Sequence, residues 1–349
     1  MKTGKTLAQF ASQIKQERDS KHDFIASTSK LRYLPDQTVG RVAFKADGKQ
    51  YEVAPTRHCL RQIAARSNIP AQYVDRMQGE HSPLLAENIN YWWKHNPEKR
   101  MVRTLLNGDS IARAFVSDSY RPLENADIAH YILPKLANLD CEVLSCEITE
   151  TRLYIQAATP RVAAKLVGDR VQAGVVIGNS EVGAGSIFVD PLLYYLRCLN
   201  GMVLPSVMRR HHVGRDRYAD FSMEEAAEYF TTRTKEMADK AFWMKVCDVV
   251  DGLFDRDRFN KMVAEFEMTA EQKIKRMDQA VEEVTERFKL NDDEKNDVLN
   301  HLIEGGQPNL FGLINAITRT ATDVESYDRS IELQRIGGEV MRLPKHVWN

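Results

Sequence analysis

Turn signals divide the first two-thirds of the chain into short segments with a two-residue apolar period, whereas beyond residue 221 apolar positions return at three- and four-residue intervals almost without a break. Because the two periods are segregated, the chain does not read as the strand–helix–strand crossovers of a doubly wound parallel sheet. Hairpins that follow one another in sequence pair antiparallel. The expected fold is α+β: an antiparallel sheet with helices on one face, followed by an all-helical C-terminal region. The boundary divides a domain over residues 1–221, with its core at 101–200, from a helical region over 222–349.

Local signals place the elements. Leu7, Phe10, Ala11 and Ile14 recur at helical spacing within residues 5–19. Residues 41–53 alternate around Asp47-Gly48, a hairpin turn. Helices are expected over 56–66, opened by Thr56, over Ala71–Met77 after Pro70, and over 84–95. The first two superficially form a helix-turn-helix, but paired short helices are common packing devices. Tyr91, Trp92 and Trp93 read as core or interface anchors rather than a base-stacking platform. Two strands surround Asn107-Gly108-Asp109, a helix covers 125–138, and a second hairpin starts at Cys141. Two further strands flank a glycine-rich connection, ahead of a helix or strand holding Leu192, Leu193, Leu196 and Cys198. Ser222 with Glu225 is a capping box that opens a helix into the 240s, with a break near Met237. Helices follow over 256–267, 270–288 with Thr269 as cap, 292–304, 309–320 and 323–336.

Charge separates along the same boundary. The formal net charge is −1, but residues 1–221 carry 30 Lys and Arg against 23 Asp and Glu, or +7, and residues 222–349 carry 18 against 26, or −8. Either the front meets an anionic partner or the two halves neutralise one another. No apolar run is long enough to span a bilayer, and the five cysteines lack a CxxC pair, so the expectation is a reduced, cytoplasmic protein with no membrane partner.

Catalytic signatures are missing from the sequence. The stretch Gly178 to Ser186 has neither the Lys-Ser/Thr ending of a P-loop nor the third glycine of a dinucleotide fingerprint. Its glycines read as a turn. Asn179, Ser180 and Glu181 remain loop ligand candidates, with turn capping as the alternative. His211 and His212 are adjacent and so diverge, with no completing ligands, so no metal is expected. No nucleophile has a supporting base, and Asp118, Glu124, Asn125 and Asp127 read mainly as turn and cap residues. No catalytic residue, enzymatic activity or cofactor is expected.

The basic signal is stronger. Residues 205–217 hold four arginines and two histidines against one acid, and the Arg fork donates paired hydrogen bonds to phosphate. With Tyr120, Tyr154, Tyr194 and Tyr195 interleaved, the arginines on or beside the expected sheet suit a groove that tracks a nucleic-acid backbone. The candidate nucleic-acid-binding residues are Arg113, Tyr120, Arg121, Arg152, Arg197, Arg209, Arg210, His212 and Arg215. The alternative is a basic face that docks on the acidic helical half.

Four blocks, Ala114 to Asn125, Asn179 to Gly185, Arg197 to Met202 and Asn315 to Thr318, resemble those of a phage- and plasmid-encoded family described as a domain of unknown function. The resemblance spans roughly residues 40 to 340 and implies a mobile element in a bacterial host. The order of elements is also similar to the phage single-strand annealing proteins, which implies homo-oligomers that bind single-stranded DNA in recombination without nucleotide or metal chemistry. A module that modulates a host or phage enzyme through a protein partner, without DNA binding, is the competing expectation.

Overall fold

The structure, a computed structural model, describes residues 1–36, 40–196, 199–205, 208–210 and 231–348. Helix α1 (Leu7–Ser20) is opened by a capping box of Thr6 and Gln9. It leads into a six-stranded sheet made of β1 (Lys21–Ser27), β2 (Arg32–Leu34), β3 (Arg41–Ala46), β4 (Lys49–Pro55), β5 (Lys99–Leu105) and β6 (Ile111–Ser117), in the order β1-β5-β6-β4-β3-β2. Asp47 and Gly48 both take positive φ, 50° and 75°, as a two-residue hairpin turn requires. All pairings in this sheet are antiparallel except the short β4–β6 contact. Helices α2 (Arg57–Arg66), α3 (Ala71–Glu80) and α4 (Ser82–His95) cover one face, around Phe24, Phe44, Ile63, Leu85, Ile89, Trp93 and Phe115.

After α5 (Asn125–Asn138), a second antiparallel sheet follows the chain: β7 (Glu142–Ile148), β8 (Leu153–Leu166), β9 (Asp169–Asn179), β10 (Ile187–Tyr195) and β11 (Gly201–Val203), with β12 (Met208–Arg210) also on β10. The expected helix-or-strand around Leu192 and Leu193 is strand, because both residues sit in the β9–β10 ladder opposite Gly174 and Ala173. Cys198 lies outside the described residues. The odd-numbered side chains Leu153, Ile155, Val175, Ile177 and Val189 bury with α1 and α5 in the largest core. The opposite face, with Tyr154, Val176, Phe188 and Leu192, is covered by Tyr327 and Ile331. This sheet therefore carries helices on both faces.

The helical region consists of α6 (Thr232–Leu253), α7 (Arg256–Glu267), α8 (Met277–Phe288), α9 (Asp292–Gly305), α10 (Leu310–Thr320) and α11 (Tyr327–Val340). Two expectations need correction. Helix α6 runs through Met237 unbroken, and the Ser222 capping box lies outside the described residues. Thr269 does not cap the next helix: it sits in a 3-10 turn, its hydroxyl donates to the Phe266 carbonyl at 2.6 Å, and α8 starts at Met277. Helix α11 belongs to both cores, with Leu333, Ile336 and Val340 in the largest one. Ion pairs Arg121–Asp239 (2.6 Å) and Lys135–Asp251 tie the basic front to the acidic back, while Arg335–Asp190 (2.6 Å) has the signs reversed. Charge matching between the halves is thus a local part of a mainly apolar contact.

Candidate functional site

The two sheets meet at the β9–β10 connection, residues 180–186. Sequence blocks 114–125 and 179–185 converge there. Asn179 donates to the Leu123 carbonyl (2.7 Å) and to Asn125 Oδ1 (2.9 Å). The Tyr120 hydroxyl donates to the Ser180 carbonyl at 3.3 Å. The other two blocks also touch, Asn200 Nδ2 donating to Thr318 Oγ1 at 2.9 Å.

Carbonyls of this loop are taken one after another by side chains from other elements. Glu181 O accepts from Arg103 Nη1 (2.8 Å), Val182 O accepts from Gln62 Nε2 (2.8 Å) and lies 3.0 Å from His58 Nε2, and Ala184 O accepts from Arg152 Nη2 (2.6 Å). A phosphate cradle presents N–H groups instead. The loop therefore offers oxygens where a nucleotide site would offer donors, and those oxygens are already engaged. Gly183 takes φ 76°, and a Cβ at Gly185 would overlap the Arg152 guanidinium. Ser180 Oγ accepts from Ala184 N at 2.9 Å, which is the turn-capping role. Asn179, Ser180 and Glu181 are at most 1% exposed.

Beneath the loop lies a buried ionic cluster. Glu181 binds Lys21 Nζ and the Asn125 N–H (2.6 Å) through Oε1, and Arg113 Nη1 (2.9 Å) through Oε2. Arg113 also faces Glu17 at 3.5 Å. A register shift between Arg103 and Thr104, opposite Ala114 and Ala112, leaves Arg113 as the extra residue of a β-bulge. Such a bulge re-aims a side chain, here toward Glu181. Arg103 reaches Asp23 (3.0 Å) and Glu124 (2.6 Å), and Lys21 reaches Glu124 at 2.6 Å. Glu150, from the β7–β8 turn, accepts the His58 N–H at 2.6 Å and so closes the N-terminus of α2 across the sheet junction.

Four carboxylates meet three cations in this cluster, and the two central glutamates respond in opposite directions. Burial alone would raise Glu181, yet the Lys21 ammonium and the Arg113 guanidinium hold it down at about 2. Burial, and next the Glu181 charge, raise Glu124 above its ordinary value. The sign follows from linkage. A lowered carboxylate pKa gives stability that is complete above 4.5 and lost as pH falls toward about 2. The raised Glu124 acts oppositely, its folded form taking up a proton first. Thermal melts from pH 7 to pH 2 are therefore expected to show little loss down to about pH 4.5 and a steep loss below it, and the Glu181→Gln curve is expected to approach wild type as pH falls toward 2. Parallel curves would overturn the assignment.

The candidate binding residues separate into groups. Arg113 is 9% exposed and faces Glu181. Tyr120 and Arg152 are half-buried and hold the loop, and Arg121 pairs with Asp239. The structure brings Arg113, Tyr120 and Arg152 together, but around protein carbonyls and carboxylates. Lys21, Asp23 and Arg103 are members that sequence reasoning missed. Arg197, His212 and Arg215 lie outside the described residues. Arg209 and Arg210 lie on β12, opposite Phe188 and Ile187. Strands β11 and β12 line one edge of β10 end to end, so the chain reaches Arg210 beside Ile187, the first residue of β10 after the glycine loop.

Among the described residues no group of three or more His, Cys, Asp or Glu is placed to hold a metal ion, and no helix is long and apolar enough to cross a membrane. Compared with family models, with curated proteins and with solved structures, the chain matches none.

Proposed function

We propose that the chain is a phage- or plasmid-type protein that binds single-stranded nucleic acid without catalysing a reaction, through the basic run that begins on β12. The observation that carries this reading is the placement of Arg209 and Arg210. Among the described residues they lie on a strand paired with β10 alone, at the sheet junction, and the sequence runs on from them into His211, His212, Arg215 and Arg217. Arg113, Tyr120 and Arg152 support that strand's surroundings by fixing the neighbouring loop; they do not contact the ligand in this reading. A backbone-tracking role needs closely spaced Arg forks and tolerates any base sequence.

The test is fluorescence anisotropy on a labelled single-stranded oligonucleotide across a salt series. Each phosphate neutralised on a single strand contributes about −0.7 to the slope of log K against log salt. Replacing Arg209, Arg210 and Arg215 together by Ala is expected to weaken binding and flatten that slope by about 2. Unchanged affinity and slope sink the role of the basic run. No binding by wild type at low salt transfers the case to the protein-interaction module.

A further inference from the structure

Helix α4 carries an unexpected surface. Leu85, Ala86, Ile89 and Trp93 form its buried stripe. Leu84, Tyr91 and Trp92 stand on the other side at 40%, 54% and 40% exposure. With His95 they occupy positions i, i+7, i+8 and i+11 of one helical face. The Tyr91 ring stacks on His95 with centroids 4.0 Å apart and meets Trp92 edge-on at 5.3 Å. The rings thus form a pre-set aromatic shelf.

Positive charge borders the shelf at its C-terminal end. Lys94 is exposed on the same helix. The turn Thr28–Lys30 packs there, Thr28 Oγ1 donating to the Trp93 carbonyl, and it brings the exposed Lys30. The Glu98 N–H in turn donates to Thr28 Oγ1, so Lys99 starts β5 beside the same turn. Two acids lie near: Glu98, which is paired with Arg100, and the exposed Glu87, one turn before Tyr91 on the same face and so at the end away from the lysines. Exposed aromatic faces with lysines at one end match a ligand of flat rings on a polyanionic backbone.

We propose that Tyr91 and Trp92 are a base-stacking site for single-stranded nucleic acid, with Lys30, Lys94 and Lys99 facing its phosphates; this rests on the nucleic-acid reading above. Stacking on an aromatic side chain is tolerant of base identity. It adds a contact that salt does not screen, separate from the basic run that begins on β12.

The other three tryptophans, Trp93, Trp243 and Trp348, are at most 3% exposed, so quenching by a stacked base reports on Trp92. The experiment titrates the full chain with oligo-dT and with an abasic oligonucleotide of equal length, following tryptophan emission and anisotropy. Oligo-dT is expected to quench emission, and the abasic strand to bind more weakly without quenching. Trp92→Ala is expected to lose about tenfold or more in affinity for oligo-dT with its salt slope unchanged, and Trp92→Phe to restore most of that loss. Wild-type binding with no quenching, and with Trp92→Ala equal to wild type, overturns this site alone. No binding by wild type overturns both the site and the reading beneath it. A wild-type dimer that Trp92→Ala turns into a monomer assigns the shelf to a second copy and overturns the proposal.

Discussion

Glu181→Gln is expected to lower the unfolding free energy by about 3–5 kcal/mol at neutral pH, measured by urea denaturation, because it breaks a buried ion pair from one side. The amide preserves the shape of the side chain. It removes the charge that Lys21 and Arg113 face, and both cations are mostly buried, with 14% and 11% of their side chains exposed. It also sets an NH2 group among groups that all donate: the Lys21 ammonium, the Arg113 guanidinium and the Asn125 N–H. Uncompensated buried charge dominates the loss, so Glu181→Gln combined with Arg113→Met should recover part of it. A loss under about 1 kcal/mol for the single variant, the size of a surface pair, would show that the cluster is hydrated and that the loop does not depend on it.

The second large effect concerns Gly338 in α11. Helix propensity favours Ala over Gly by about 1 kcal/mol. Sterics oppose it here: a Cβ on Gly338 would stand far inside van der Waals contact of the Val203 carbonyl oxygen, on the backbone of β11. Backbone does not rotate aside, so α11 must lift from the sheet and loosen the contacts of Tyr327 and Ile331 with Val176 and Phe188. Gly338→Ala is expected to destabilise by about 2 kcal/mol or more, within the range for overpacking. Gly79 of α3 has nothing within 4 Å of the same atom, so Gly79→Ala should stabilise by up to about 1 kcal/mol. Melting curves of the pair decide the matter: stabilisation by both substitutions would mean that the helix–sheet spacing gives way without cost.

Local chemistry explains which parts of the fold were legible. Asp47-Gly48 and the 125–138 helix needed only turn preference and period, and both appear where expected. Thr269 failed because a threonine before a helical pattern looks the same whether it closes one helix or opens the next. The apolar run in β10 was ambiguous because a strand buried on both faces loses its alternation. The ionic cluster was out of reach, since Glu181 meets Lys21 and Arg113 across 160 and 68 residues and spacing carries no trace of such pairings. A partial signal existed in the inward-facing Arg103, a charge at an apolar position of an alternating strand. The phase of α4 was readable from Leu85, Ile89 and Trp93, four residues apart each time, which points Tyr91 and Trp92 away from the core.

The ionic cluster where the two sheets meet also orders events during synthesis. Arg113 leaves the ribosome 68 residues before Glu181, a delay of several seconds at roughly 5–20 residues per second. Until then the N-terminal sheet has two arginines destined for burial and no Glu181 to receive them, and the amide end of α2 waits for Glu150. The nascent N-terminal half should stay protease-sensitive until the loop emerges, then become resistant in a single step.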